Sequence, residues 1–163
     1  MNSLRIAVLG GTGFIGGSLC ERLVAAGHEV RILTRRRERH REFLVLPSAQ
    51  VIEADVHDPA VLKRAFQGLD VVVNLVGILN EPGRDGKGFE RAHAELPAKV
   101  VQACRQSGVT RLLHMSALHA SPPTCPGLDP GHARPGPLAD RRGGAWRIRP
   151  EGATRDPAAV VAW

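Results

Sequence analysis

The run Gly10-Gly11-Thr12-Gly13-Phe14-Ile15-Gly16 constrains this chain more than any other stretch of its 163 residues. An apolar segment, Leu4-Arg5-Ile6-Ala7-Val8-Leu9, leads straight into it, and Gly10, Gly13 and Gly16 stand three apart. After them Ile15, Leu19, Leu23 and Val24 recur at helical spacing and predict one apolar face. Strand, glycine loop, helix is the layout of a βαβ unit that cradles a dinucleotide. There the first glycine allows the tight turn off the strand, the second lets backbone approach a pyrophosphate, and the third lets the helix pack closely. Glycines also punctuate ordinary strand–helix junctions, so the weight rests on context: a second strand arrives on schedule. Gly11, Thr12, Phe14 and Ile15 complete the loop, whose backbone N–H groups and helix dipole suit an anionic ligand.

Gly27 closes the first helix, and Glu29 to Thr34 forms the second strand. The end of that strand is where a dinucleotide fold selects its cofactor. An acid there accepts from the ribose 2′-hydroxyl of NAD, whereas an arginine meets the 2′-phosphate of NADP. This chain offers Arg35 and Arg36 with no acid before Glu38. A guanidinium binds phosphate bidentately and a carboxylate would repel it, so NADP(H) is favoured over NAD(H). Arg37, Arg39 and Arg41 read as a solvated basic loop.

A third strand runs through Val51-Ile52-Glu53-Ala54 to Asp55-Val56, which would lie beside the adenine, Asp55 accepting from its amine. An ordinary strand-end Asp is the competing reading. Asp58 as N-cap, Pro59 at the first helical position and Gly68 past the end bound a second helix. Asp70 to Val76 suits a parallel strand buried on both faces. It leads through Leu75 and Val76 to Gly77, where backbone can pass close to a ligand, and then to a Gly- and charge-rich loop suited to a substrate or lid. Phe89 to Gln106 predicts a long helix that Pro97 bends or divides, and Arg111 to Met115 a fifth strand ending at Ser116. The alternation predicts an α/β fold: a Rossmann-like doubly wound parallel sheet of about five strands, with helices on both faces.

Net charge is +6 and the pI about 10.2, which raises nucleic acid or an anionic cofactor as partner. With four Phe, two Trp and no Tyr, stacking platforms are scarce, and no recognition helix is visible, so a nucleic-acid role is disfavoured. Cys20, Cys104 and Cys125 form neither a CxxC pair nor a metal spacing, so no metal is expected and reduced thiols fit a cytoplasmic protein. No signal peptide is expected, and no apolar run approaches the roughly 18 residues of a membrane span.

After Ser121 the composition shifts. The last 42 residues hold eight of the twelve prolines, six glycines and six arginines, and no lysine, asparagine, phenylalanine or serine. Residues 1–121 are therefore expected to form the nucleotide-binding domain, and 122–163 an irregular or disordered tail. Either the tail is a genuine flexible segment, or it is an out-of-frame product of GC-rich codons.

Taken together, the glycine loop, Arg35-Arg36, Asp55-Val56, Asn74-Leu75-Val76-Gly77-Ile78 and His114-Met115-Ser116-Ala117-Leu118 resemble the short-chain dehydrogenase/reductase superfamily. The likeness is to its atypical, extended branch of epimerase/dehydratase type, which includes the nucleotide-binding accessory subunit of respiratory complex I and bacterial relatives. It covers about residues 4 to 121, and implies an NAD(P)-binding domain that is C-terminally truncated or frame-shifted. The family's catalytic group is a Ser followed by Tyr-x-x-x-Lys. Ser116 matches the Ser, and His93 stands where extended members often carry an Asn, but the chain has no tyrosine and no lysine after Lys99. The resemblance thus implies cofactor binding without the usual catalysis, or an oxidoreductase or sugar-nucleotide epimerase/dehydratase whose catalytic portion is missing. His114 and His119 lie close to Ser116 in sequence and could be proposed as substitutes, but His114 is expected to face the sheet's surroundings and His119 lies where the ordered pattern ends, so a catalytic role is disfavoured. Without further strands, the fifth strand is expected to be an exposed edge through which chains could associate.

Overall fold

The computed structural model describes residues 3–78 and 87–115, together with the backbone strand at 146–147. Ser116, His119, Cys125, the loop at 79–86 and the rest of the expected tail lie outside the described residues.

Strands β1 (Arg5–Leu9), β2 (Glu29–Thr34), β3 (Ala49–Glu53), β4 (Val71–Asn74) and β5 (Arg111–His114) form a parallel sheet in the order β3-β2-β1-β4-β5. All five strands are parallel, so their carboxyl ends share one edge, and the order reverses between β1 and β4, the place where open α/β sheets bind ligands. Helix α1 (Phe14–Ala25) follows β1, α2 (Pro59–Phe66) follows β3, and α4 (Leu96–Ser107) precedes β5.

Alternation along the strands divides the core into two layers. Ala7, Leu9, Leu33, Val72 and Leu112 face Leu62, Phe66, Leu96, Val100 and Cys104 of α2 and α4. On the opposite face Val8, Val30, Ile32, Val71 and Val73 meet Cys20 and Phe43, with Leu19, Leu23 and Val24 of α1 partly buried there. All four residues of β4 are buried, as a central parallel strand requires.

Three expectations need correction. Ile15 does not join the inner face of α1 and is 51% exposed. The first turn of α1 stands against glycine-loop backbone, where Gly16 rather than an apolar side chain is buried. The long helix starting near Phe89 is three pieces: α3 (Lys87–Glu90), a π-helical turn (Arg91–Glu95) and α4. Pro97 sits in the first turn of α4, where its missing N–H costs nothing, and the widened turn precedes it. Finally, β5 is not left fully open: β6 (Trp146–Arg147) pairs with it antiparallel, with Leu112 opposite Trp146 and Arg111 opposite Arg147. That pairing covers Arg111 and Leu112, while Leu113 and His114 have no partner on β6.

Candidate functional site

The glycine loop is built by backbone crowding. Gly10 adopts φ +74°, and its carbonyl accepts from Gly13 N–H at 3.0 Å, closing the turn. A Cβ on Gly10 would stand 3.1 Å from the Leu75 carbonyl carbon and 3.2 Å from Val76 N, so β1 and β4 exits meet there. A Cβ on Gly16 would strike the Gly10 carbonyl oxygen and lie 2.6 Å from Gly11 Cα, so α1 packs directly on the loop. Gly13 is exposed, and a Cβ there would meet only the Gly10 carbonyl oxygen, at 3.2 Å.

Helix α1 has no side-chain N-cap and no acid in its first turn. Its first-turn N–H groups, at Phe14, Ile15 and Gly16, lack intrahelical acceptors and carry the positive end of the dipole. Helix α2 is the contrast: Asp58 accepts there from Ala60 N (2.8 Å) and Val61 N (3.4 Å). The α1 terminus, rimmed by glycine, is thus a cradle for an anion that a side chain would fill.

At the end of β2, Thr34 is buried and Arg35 and Arg36 are exposed. Arg36 N–H donates to Thr34 Oγ1 at 3.4 Å. Glu38 pairs with Arg41 at 2.9 Å, so the first acid after Arg35 and Arg36 in sequence is already engaged by another arginine. Parallel register also brings Glu53 opposite Thr34, and Glu53 Oε2 accepts from Arg37 N–H at 3.0 Å. Sequence reasoning missed Glu53, because only the β2–β3 register puts it there.

Asp55 is exposed; its Oδ1 accepts from His57 N–H at 2.9 Å, and its carbonyl accepts from Asp58 N–H at 3.1 Å. Val56 belongs to the core, so at this strand end it offers a ligand backbone rather than side chain. His57 was also missed: its Nδ1 is buried without a partner among the described residues. Burial lowers its pKa below the ordinary value, and Arg91 adds to the shift.

The end of β4 is held from two sides. Asn74, in register with Leu9 and His114, is fully buried; its Oδ1 accepts from Val76 N–H, and its Nδ2 lies 3.1 Å from His114 Nδ1. His93, on the π-helical turn, covers Gly77 and meets the Ile78 backbone through Nε2, 3.3 Å from N and 3.1 Å from O. Phe89 stacks on His93 at a centroid distance of 6.0 Å. Gly10, Gly13, Gly16, Arg35, Asp55, Leu75, Val76 and Gly77 therefore all belong to the carboxyl edge of one sheet. Nothing tyrosine-like stands among them.

The sequence model of the NAD dependent epimerase/dehydratase family matches residues 6–142. The chain is 33% identical over 113 residues to a 2-alkyl-3-oxoalkanoate reductase of Stenotrophomonas maltophilia, covering 69% of this chain and 33% of that protein. It is 31% identical over 119 residues to subunit 9 of the mouse mitochondrial NADH dehydrogenase [ubiquinone] 1 alpha subcomplex, covering 70% and 31%. Among solved structures, the Bordetella bronchiseptica enzyme WbmG in complex with NAD superposes with a TM-score of 0.62 at 26% identity, over 71% of this chain and 38% of that one. The chain spans about a third of the length of these curated relatives. Motif, sheet order and family match agree, and the chain belongs to the NAD dependent epimerase/dehydratase family.

Proposed function

We propose that this chain binds a nicotinamide dinucleotide along the carboxyl edge of its sheet, and that it takes NADP(H) in preference to NAD(H). The observation that carries the first part is the uncapped α1 terminus above a loop that admits no side chain at Gly16. In this reading the Phe14, Ile15 and Gly16 amides hold the pyrophosphate, and Asp55 and Val56 border the adenine. Leu75, Val76 and Gly77 flank the chain of the ligand toward the nicotinamide. Exposed Arg35 and Arg36 supply the 2′-phosphate contact. Glu53 lies at the same strand end with its carboxylate accepting from the Arg37 backbone, so the two arginines must outweigh its charge.

When bound, the dinucleotide supplies hydride-transfer chemistry; the residues in hand bind and orient it. Proton delivery needs a group of suitable pKa within hydrogen-bond reach of the reacting atom, and the family's Tyr-x-x-x-Lys pair is absent from the 163 residues. We therefore read the segment as the cofactor-binding part of the family architecture, without that catalysis. The reductase names of the relatives suggest a second reading, in which this is the cofactor half of an oxidoreductase or epimerase.

A thermal-shift titration of the full chain against NADPH and NADH tests the proposal. A concentration-dependent rise in Tm is expected with both, larger with NADPH. No shift with either removes the binding claim, and a larger shift with NADH removes the arginine argument. Arg35→Ala is expected to weaken NADPH roughly tenfold or more, the scale of a lost charged hydrogen bond, and to spare NADH.

A further inference from the structure

Asn74 is the fully buried polar side chain at the carboxyl edge, and its hydrogen bonds leave it no freedom. Val76 N–H is a donor, so the amide oxygen must face it, at 3.1 Å. The amide nitrogen then faces His114 Nδ1, also at 3.1 Å. An amide nitrogen only donates, so Nδ1 must accept, which fixes His114 as the neutral imidazole with its proton on Nε2. The backbone adds two ties: Leu75 N–H donates to the Leu9 carbonyl at 2.9 Å, and Met115 N–H to the Asn74 carbonyl at 3.0 Å. Val76 N also lies 3.2 Å from the place a Gly10 Cβ would occupy. A line of hydrogen bonds therefore runs from His114 through Asn74 to Val76, whose backbone borders Gly10.

We propose that the Asn74–His114 pair is a proton-operated switch that couples the end of β5 to the glycine loop, protonation of His114 weakening dinucleotide binding. The proposal rests on the dinucleotide reading above. A proton taken from solvent onto Nδ1 sets two donors face to face. The amide can relieve this by turning over, so that Oδ1 accepts from Nδ1–H. Its nitrogen then faces Val76 N–H, and that part-buried amide loses its acceptor. Either arrangement strands a donor, and in the second one Val76 loses its tie to Asn74 while the Leu75–Leu9 backbone bond stays.

The surroundings favour the neutral form. Burial lowers the His114 pKa below the ordinary 6.5, and the charge of His93 lowers it further. Other packed elements add little: β4 carries no ionisable side chain between Val71 and Asn74. On α4, Lys99 pairs with Glu95 at 3.8 Å, Cys104 is buried in the core and Arg105 is exposed. Across the sheet edge, Arg147 is in register with Arg111 rather than with His114. A histidine kept neutral by folding contributes stability that is complete above pH 6.5 and is lost as pH falls through its lower folded value. Binding that requires the neutral form is intact well above the folded value of His114 and weakens as pH falls below it.

Two measurements on the full chain test the switch. NADH is the ligand to titrate, because the 2′-phosphate of NADPH itself changes charge near pH 6. Affinity is expected to fall as pH drops from 7.5 to 5.5, by less than about tenfold because a histidine titrating below 6.5 is not fully protonated at 5.5. His114→Gln keeps an acceptor for Asn74 but cannot titrate, and its affinity is expected to stay flat. An equal fall in the His114→Gln chain would overturn the proposal. Independently of any ligand, NMR of the wild-type chain should show the Val76 amide and the Asn74 side-chain amide moving with the His114 ring titration. A Val76 resonance that ignores that titration sinks the switch even if NADH binds well. Failure of NADH and NADPH to bind at pH 7.5 instead removes the dinucleotide reading and, with it, the ligand arm of the switch.

Discussion

Gly16 and Gly17 are adjacent, identical in type and both in α1, yet the space around them differs. A methyl on Gly16 meets the Gly10 carbonyl and the Gly11 backbone, neither of which is the end of a flexible side chain. A methyl on Gly17 meets only Phe43 Cζ, at 3.5 Å, an ordinary contact. Gly16→Ala is therefore expected to cost about 2–4 kcal/mol by forcing α1 off the loop, whereas Gly17→Ala should be neutral or stabilising by about 0.5–1 kcal/mol, as for a glycine removed from a helix interior. Urea denaturation of the two variants measures the difference. If Gly16→Ala unfolds at the wild-type midpoint, the crowding that defines the cradle is not real. Sequence spacing marks both positions as glycine, but only the packed backbone separates the glycine that is required from the one that is merely present.

At the scale of elements, much of the fold could be read in advance because its signals are local. The N-cap at Asp58, the turn at Gly10 and the three valines of β4 each declare themselves within a few residues. Signals that arise between elements could not be read so. Arg31 looks like an interruption of an apolar strand, yet its guanidinium donates to the Ala65 and Gln67 carbonyls, each at 3.0 Å. It thereby satisfies carbonyls that α2 leaves open where it ends at Phe66. Glu53 and the β6 pairing escaped sequence reasoning in the same way, since parallel register and the return of a distant segment have no local pattern. The Arg31 contact predicts that Arg31→Met, which keeps the apolar stem, costs about 1–3 kcal/mol through the stranded carbonyls. Equilibrium unfolding gives the cost, and hydrogen exchange should show the end of α2 fraying. A fully stable variant with an unfrayed α2 would assign the contact no energetic role.

For the molecule as a whole, the question is whether its two core layers can open separately. Each strand contributes alternate residues to both, so β1 sends Ala7 and Leu9 to one layer and Ile6 and Val8 to the other. Parting either layer from the sheet leaves the other face of the same strands intact only if the ladder survives. With strands this short, of four to six residues, we expect a single cooperative unit. The cysteines report on this directly. Cys20 lies in the α1 layer, with its thiol 3.9 Å from the Gly11 carbonyl, and Cys104 lies in the α2–α4 layer. Burial pushes both thiols up to about 12, so neither reacts until its layer opens. In a Cys125→Ser chain the two should be labelled at matching slow rates near pH 8. A dinucleotide present at 100 times its Kd should slow both about a hundredfold, because it withdraws the open state as a whole. Mass spectrometry of the labelled peptides resolves the two sites. Faster labelling of Cys20, suppressed by ligand while Cys104 is unaffected, would mean that the layer beneath the glycine loop opens alone. Binding would then stabilise that layer and leave the rest of the sheet untouched.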